Sequence, residues 1–287
     1  MISFTARKLY VDVVDERGTV WIFYFLDLRS ALVRQQLAGV ETYPRCGRAT
    51  FQRAVRMPHW PAGPGQNASF AFRMEVADGP VEFSAVSLLP SWFPADPPMA
   101  VPVRWHVASP RLAVRLRSAN FPRGLRGVGY ADCVEIRALP RSLDLGRLRW
   151  GRIHGADETF IFTEVVPRRG DPWRHAALWQ RNDAALEWNA FWVEELADGM
   201  TLVTTGSAHA RACRVFLGNE RTLRSGDTID SDRLPRPGER LLYRFVMGRT
   251  TERRWAGSAR LNGKDFGLGA AVHEWVDFGN PLGARAC

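Results

Sequence analysis

The stretch GVGYADCVEI, residues 127–136, decides how this chain is read. It has the composition of a β-strand, and strand side chains alternate between two faces. Val128, Tyr130, Asp132, Val134 and Ile136 share one face; Gly129, Ala131, Cys133 and Glu135 share the other. An acid, Asp132, therefore points where three aliphatic side chains point, with Tyr130 beside it. An ionised carboxylate in an apolar setting is costly unless it is paired, hydrogen-bonded or protonated. Either an arginine waits for it or it does chemistry.

Outward from this strand the same pattern repeats. LYVDVV (9–14) and VWIFYFL (20–26) flank DERG, a hairpin turn ending at Gly18. Further runs follow: ATFQRAV, SFAFRMEV, VEFSAVSLL, AVPVRWHV, RLAVRL, LRWGRIH, TFIFTEVV, LEWNAFWVEEL, TLVTT, CRVFL, RLLYRFVM, RRWAGSARL and AAVHEWVDF. Turn residues recur roughly every 8–12 positions, the spacing of a sandwich or barrel. RSALVRQQLA (29–38) is the best helix candidate. Two Pro-rich stretches carrying tryptophan, PHWPAGPGQN (58–67) and PSWFPADPP (90–98), read as ordered loops, and VPRRGDPW (166–173) as punctuation. The fold expected is all-β, antiparallel, in two barrel-like or sandwich units, residues 1–145 and 146–287, with no sequence repeat visible between them.

Bulk properties narrow the function. At 287 residues, 46% hydrophobic and 24% charged, the chain can build a sizeable core. No apolar run approaches the roughly 20 residues of a membrane-spanning helix. MISFTARKLYVDVV lacks the apolar centre of a secretion signal, so a cytoplasmic, bacterial location is expected, with at most transient membrane contact to collect substrate. The net charge of +9 invites a nucleic-acid reading. Yet only Lys8 and Lys264 are lysines among 39 basic residues, and the arginines are dispersed without a basic stripe or motif, so no nucleic acid is expected. Cys46, Cys133, Cys213 and Cys287 are too scattered for a disulfide framework or a metal site. The six histidines are equally dispersed, and no nucleophile elbow, P-loop, zinc-protease or dinucleotide motif is present. No metal and no cofactor are expected.

Acids on apolar faces recur. Glu164 shares a face with Phe160, Phe162 and Val166; Glu274 lies with Val272, Val276 and Phe278; Asp12 lines up with Tyr10 and Val14. Each is either half of an ion pair or a general acid held in an apolar cavity. His154, after WGR, is positioned to approach such acids. The aromatic content, 11% of residues, serves core packing or an apolar binding cavity.

GVGYADCVEI followed by LGRLRWGRIHGADETFIFTEV resembles the hydroxyneurosporene synthase-like group, relatives of the carotenoid 1,2-hydratases. Their signature runs G-x-G-Y-x-D-H, a proline-containing spacer, then L-R-W-G-R. Gly127, Gly129, Tyr130, Asp132, Trp150, Gly151 and Arg152 match it; Cys133 replaces the histidine, Val134 and Glu135 an Asn-Trp pair, and Phe162-x-Glu164 a later Tyr-x-Asp. YVDVVDERGTVWIFYF, WHVASPRLAV and VHEWVDF are also similar to that group. The resemblance implies two lipocalin-like β-barrels and cofactor-free chemistry, in which a carboxylic acid protonates a double bond and water captures the cation.

The function expected is that of a cofactor-independent hydratase, dehydratase, isomerase or cyclase acting on an apolar unsaturated terpenoid or polyketide of secondary metabolism. Glu164 or Asp132 is the candidate acid, oriented by Tyr130. Trp150, Arg152, Phe160, Phe162, His154, Glu135 and Cys133 are the candidate substrate-contacting residues. Two other readings stand beside it: a pericyclase directing cyclisation by pocket shape, and a lipocalin-like carrier of an apolar metabolite.

Overall fold

The computed structural model describes residues 4–30, 34–56, 69–94, 103–138, 143–181, 184–206, 212–228 and 237–279. The Pro-rich stretch at 58–67, residues 95–98, His59, His209 and Cys287 lie outside them. The chain divides into two compact units, Met1–Leu139 and Pro140–Cys287. In both, the described residues lie mostly in antiparallel strands.

The first unit contains β1 (Phe4–Asp15), β2 (Val20–Ser30), β3 (Arg34–Tyr43), β4 (Thr50–Arg53), β5 (Ser69–Val76), β6 (Gly79–Ser87), β7 (Val103–Ser118) and β8 (Phe121–Ile136). Their order in the sheet is β4-β3-β2-β1-β8-β7-β6-β5, so successive hairpins are joined by one long-range pairing, first strand against last. The sheet curls until its ends meet: past β4, the Val55 amide donates to the Glu75 carbonyl of β5 at 2.7 Å. The first hairpin shows how local sequence seeds this meander. Gly18 takes φ 76°, and the Asp15 carboxylate accepts from the amides of Arg17 and Thr19 and from Trp21 Nε1, each at 2.9 Å.

One face of this sheet supplies the core. Leu9, Val11, Val13, Phe23, Phe25, Phe72, Phe83, Leu112, Leu125 and Ala131 lie there, and the stacked rings of Phe72 and Phe83, 4.6 Å apart, help fill the interior. Alternation had placed Asp132 with aliphatic neighbours. The packed core uses the opposite face, that of Ala131 and Cys133, while Val128, Val134 and Ile136 are only half-buried.

The second unit contains β9 (Leu145–His154), β10 (Glu158–Pro167), β11 (Trp173–Gln180), β12 (Leu186–Trp188), β13 (Phe191–Glu195), β14 (Gly199–Thr204), β15 (Arg214–Gly218), β16 (Arg221–Asp227), β17 (Thr250–Leu261) and β18 (Lys264–Phe278). Its order, β12-β11-β10-β9-β18-β17-β15-β14-β13 with β16 on β17, repeats the plan of the first unit. Again first pairs with last, and here the sheet's two end strands, β12 and β13, are separated by only Asn189 and Ala190. A repeat invisible in the sequence is thus plain in the topology.

The helix expected over 29–38 is not formed: its described residues belong to β2 and β3, paired Arg29 against Arg34. Propensity yields there to burial of Ala38 and Val40 on one face and Glu41 on the other. Conversely RLLYRFVM, expected as a strand, lies in α1 (Pro237–Met247). Pro237 suits a first helical turn, and Leu241, Leu242, Phe245 and Val246 repeat at helical, not strand, spacing. No helix among the described residues is long and apolar enough to cross a membrane.

Candidate active site

The closing seam of the first unit is set by two glycines. A Cβ at Gly129 would lie 2.5 Å from the Asp12 carbonyl, and one at Gly127 2.6 Å from Val13 and 2.7 Å from the Val14 carbonyl. Without side chains there, β8 presses against β1 and the register locks with Tyr10 opposite Asp132 and Asp12 opposite Tyr130. All four side chains therefore project from one face, the one turned away from the barrel core. All are buried: Asp12 and Tyr130 at 0% exposure, Tyr10 at 2%, Asp132 at 5%.

The Tyr130 hydroxyl donates to Asp132 Oδ2 at 2.9 Å, and Trp105 Nε1 donates to the same oxygen at 3.3 Å. Tyr10 and Tyr130 meet with tilted rings, 6.4 Å between centroids. Burial first, then the charge of Asp132 and the hydrogen bond to it, hold the Tyr130 phenol well above its ordinary range, with Asp12 and Tyr10 adding to the effect. Tyr130 is thus a neutral donor across the physiological range. The two carboxyl groups form a diagonal cross-strand pair, placing their Cβ atoms within about 7–8 Å of each other.

The polar surface extends sideways. Asp12, Ile22 and Glu41 stand in register across β1, β2 and β3, and the Tyr43 hydroxyl donates to Glu41 Oε2 at 2.8 Å. Tyr24, stacked on Phe51, lies over Gly39, whose missing side chain makes the space. Four of the protein's five tyrosines and three buried acids consequently share one sheet face.

The other predicted residues are distributed differently. Cys133 faces the barrel side, and burial, with the Asp132 charge, pushes its thiol up to about 11, so it is a packing residue without thiolate character. Glu135 pairs with Arg137 at 2.6 Å and Arg7 at 3.8 Å. In the second unit, β9 sends Trp150, Arg152 and His154 to one face and β10 sends Phe160, Phe162 and Glu164 to the other, because Phe162 lies opposite Gly151. Trp150 and the two phenylalanines therefore do not line one surface. Phe160 and Phe162 are fully buried members of the second core. Arg152, 1% exposed, donates to the Ala270 carbonyl at 3.2 Å. Glu164 is gripped by two guanidinium groups, Arg149 Nη1 at 3.1 Å from Oε2 and Arg174 Nε at 2.8 Å from Oε1.

Alternation aligns Asp12 with Tyr10 without bringing either to Asp132, and it gives no sign of Trp105 or Glu41 at the site. Alternation along β1 carried the signal for Asp12; the pairing of β1 with β8 that makes it count is long-range. Among the described residues no group of three or more His, Cys, Asp or Glu side chains is arranged to hold a metal ion.

Comparison with solved structures places this architecture. The chain has a lipocalin-like double-barrel fold. It is similar to a candidate AttH protein of Nitrosomonas europaea, at a TM-score of 0.61 and 12% identity over 95% of this chain and 92% of that one. It is similar also to CghA, solved with Sch210972, at 0.57 and 10% over 96% and 88%. Kievitone hydratase from Nectria haematococca follows at 0.54 and 10%, over 96% and 89%. No protein-family model and no curated protein sequence matches the chain. At these identities the likeness is one of fold.

Proposed function

We propose that the chain is a cofactor-independent acid–base enzyme acting on an apolar, unsaturated small molecule of the terpenoid or polyketide class, with Asp132 as the proton donor. The observation that carries this reading is the buried Asp132–Tyr130 pair, placed beside Asp12 on a face the barrel core does not use. Similarity of fold to a hydratase supports it. Glu164, the other candidate acid, has a guanidinium against each oxygen and is assigned a structural role.

In this reading Asp132 enters the cycle protonated, with Tyr130 and Trp105 donating to its Oδ2, and the carboxyl proton is the one transferred. The alkene π pair forms a C–H bond with that proton, leaving a cation on the neighbouring carbon and a negative carboxylate. Tyr130 and Trp105 steady the new charge by donating to it, and the Tyr130 ring lies beside the developing cation. Water adds to the cation and loses a proton to Asp12, whence it returns to Asp132; without water, the Asp132 carboxylate takes a proton from a neighbouring carbon, the C–H pair forms the new double bond, and the acid is restored. Tyr130 is a positioning residue. The lipocalin-like carrier reading receives less support, since phenylalanines fill the first barrel where a carried ligand would sit.

The test is incubation of the protein with an apolar extract of its host, following by mass spectrometry either gain or loss of water or a shift in retention at constant mass. Asp132→Asn keeps the shape and removes the acid, and it should lower the rate roughly 10²–10⁴-fold. An Asn variant as active as the parent, with a flat pH–rate profile, would transfer the assignment to a pericyclase. Lost activity together with lost folding would make Asp132 structural; circular dichroism distinguishes the two.

A further inference from the structure

At one register of the second sheet a belt of side chains crosses five adjacent strands: Arg174 on β11, Glu164 on β10, Arg149 on β9, Trp275 on β18 and Arg253 on β17. They share the face that carries Phe160 and Phe162, so the belt caps one end of the barrel's apolar interior with charge. Arg149, its side chain 8% exposed, reaches Glu164 and also pairs with Glu195 through Nη2. Arg147, one step farther out on β9, pairs with Asp277 at 3.2 Å and Glu195 at 4.0 Å. The Trp275 ring is flanked by three guanidinium groups, those of Arg147 at 4.3 Å, Arg149 at 4.7 Å and Arg253 at 5.9 Å from its centroid.

Two features are left over. Among the described residues the arginines Arg147, Arg149, Arg174 and Arg253 outnumber the carboxylates Glu164, Glu195 and Asp277 by one charge, that of the exposed Arg253. Arg149 Nε and Trp275 Nε1 are buried donors without a hydrogen-bond partner among the described residues. A water molecule would accept such hydrogen bonds but would leave the charge; an oxyanion answers both.

We propose that this end of the second barrel is a binding site for a small oxyanion, a carboxylate or a phosphate. Arg149 and Trp275 supply hydrogen bonds, Arg147 and Arg253 supply field, and Glu195 is the internal competitor that an incoming anion displaces from Arg149. The proposal stands apart from the acid–base chemistry at Asp132.

Calorimetric titration of the full chain tests it, at fixed ionic strength in chloride, with inorganic phosphate in one series and acetate in another. Saturable binding of at least one anion is expected, and the stronger of the two names the source. Substitution of Arg149 strips a partner from buried Glu164 and risks unfolding, so the half-exposed and exposed positions carry the test. Glu195→Gln should tighten binding at least threefold, and Arg253→Gln should weaken it severalfold. No heat above the chloride blank with either anion overturns the proposal. So does an affinity that both variants leave unchanged, which would place the anion elsewhere on an arginine-rich surface.

Discussion

Asp132 and Glu164 look alike in the sequence, each an acid two residues beyond an aromatic on a strand, and they end in opposite surroundings. Asp132 accepts from a phenol and an indole, both neutral donors; Glu164 accepts from two guanidinium groups. The difference comes from cross-strand neighbours, since Glu164 lies opposite Arg149 and Arg174 while Asp132 lies opposite Tyr10. His273 shows the same dependence on surroundings. It packs on Trp255 at 5.1 Å, its Nε2 lies 3.2 Å from the Gly218 carbonyl, and burial lowers its pKa from 6.5 to about 4. Above pH 6.5 folded and unfolded chains both hold it neutral, and it has no effect on stability. As pH falls from 6.5 toward 4 the unfolded chain takes up a proton that the folded chain refuses, so stability declines, by about 3 kcal/mol in all. His106 and His175, also lowered by burial, act in the same direction. Urea midpoints at pH 7.5, 6.5 and 5.5 should therefore drop less steeply for His273→Phe than for the parent. Parallel slopes would show that His273 does not titrate as a buried neutral ring.

Among elements, the seam between β1 and β8 has the largest consequences. Gly127 and Gly129 are there because backbone and side-chain atoms of β1 occupy the space a Cβ would need. That close approach is also what sets Tyr130 and Asp132 against Asp12 and Tyr10. Gly129→Ala must push a strand backbone aside, at a cost of about 1–3 kcal/mol. Thermal unfolding should register that loss. Activity should fall by more than the folded fraction does, since the acid pair moves with the strand; a variant of parental stability would mean that the seam can open without strain. Gly151 plays a similar part in the second unit, where a Cβ would meet Phe162 at 2.6 Å and His273 at 2.7 Å. Glycines that a pattern reading sees only as a motif are thus points where neighbouring strands and rings come within the space of a Cβ.

At the scale of the whole molecule, both units close by pairing their first strand with their last, residues 4–15 with 121–136 and 145–154 with 264–278. Such non-local pairing is entropically late in folding. Refolding from urea, followed by tryptophan fluorescence, should accordingly fall in roughly the millisecond-to-second range of all-β domains or slower. Complete recovery within microseconds would be incompatible with rate-limiting seam closure.

Much of this was legible in the chain. Two-residue alternation along GVGYADCVEI and its neighbours suffices for an all-β fold, and it places Tyr130 and Asp132 on one face, because side-chain direction in a strand is a local property. The hairpin at Asp15–Gly18 is local in the same sense. Which face would be the inside was not legible, because Val128 and Val134 look as apolar as Ala131 and Cys133 until β2 and β5 deliver their phenylalanines to one side. Nor was the grouping of Asp12 with Asp132, or of Glu164 with its two arginines, since each depends on a register between separate strands. The helix at Pro237–Met247 was legible in principle through its spacing, and was obscured by its β-prone composition. The sequence by itself determined the class of structure and the chemistry available on each strand; only the tertiary structure decided which acid meets a phenol and which an arginine, because that is settled by pairings between residues far apart in the chain.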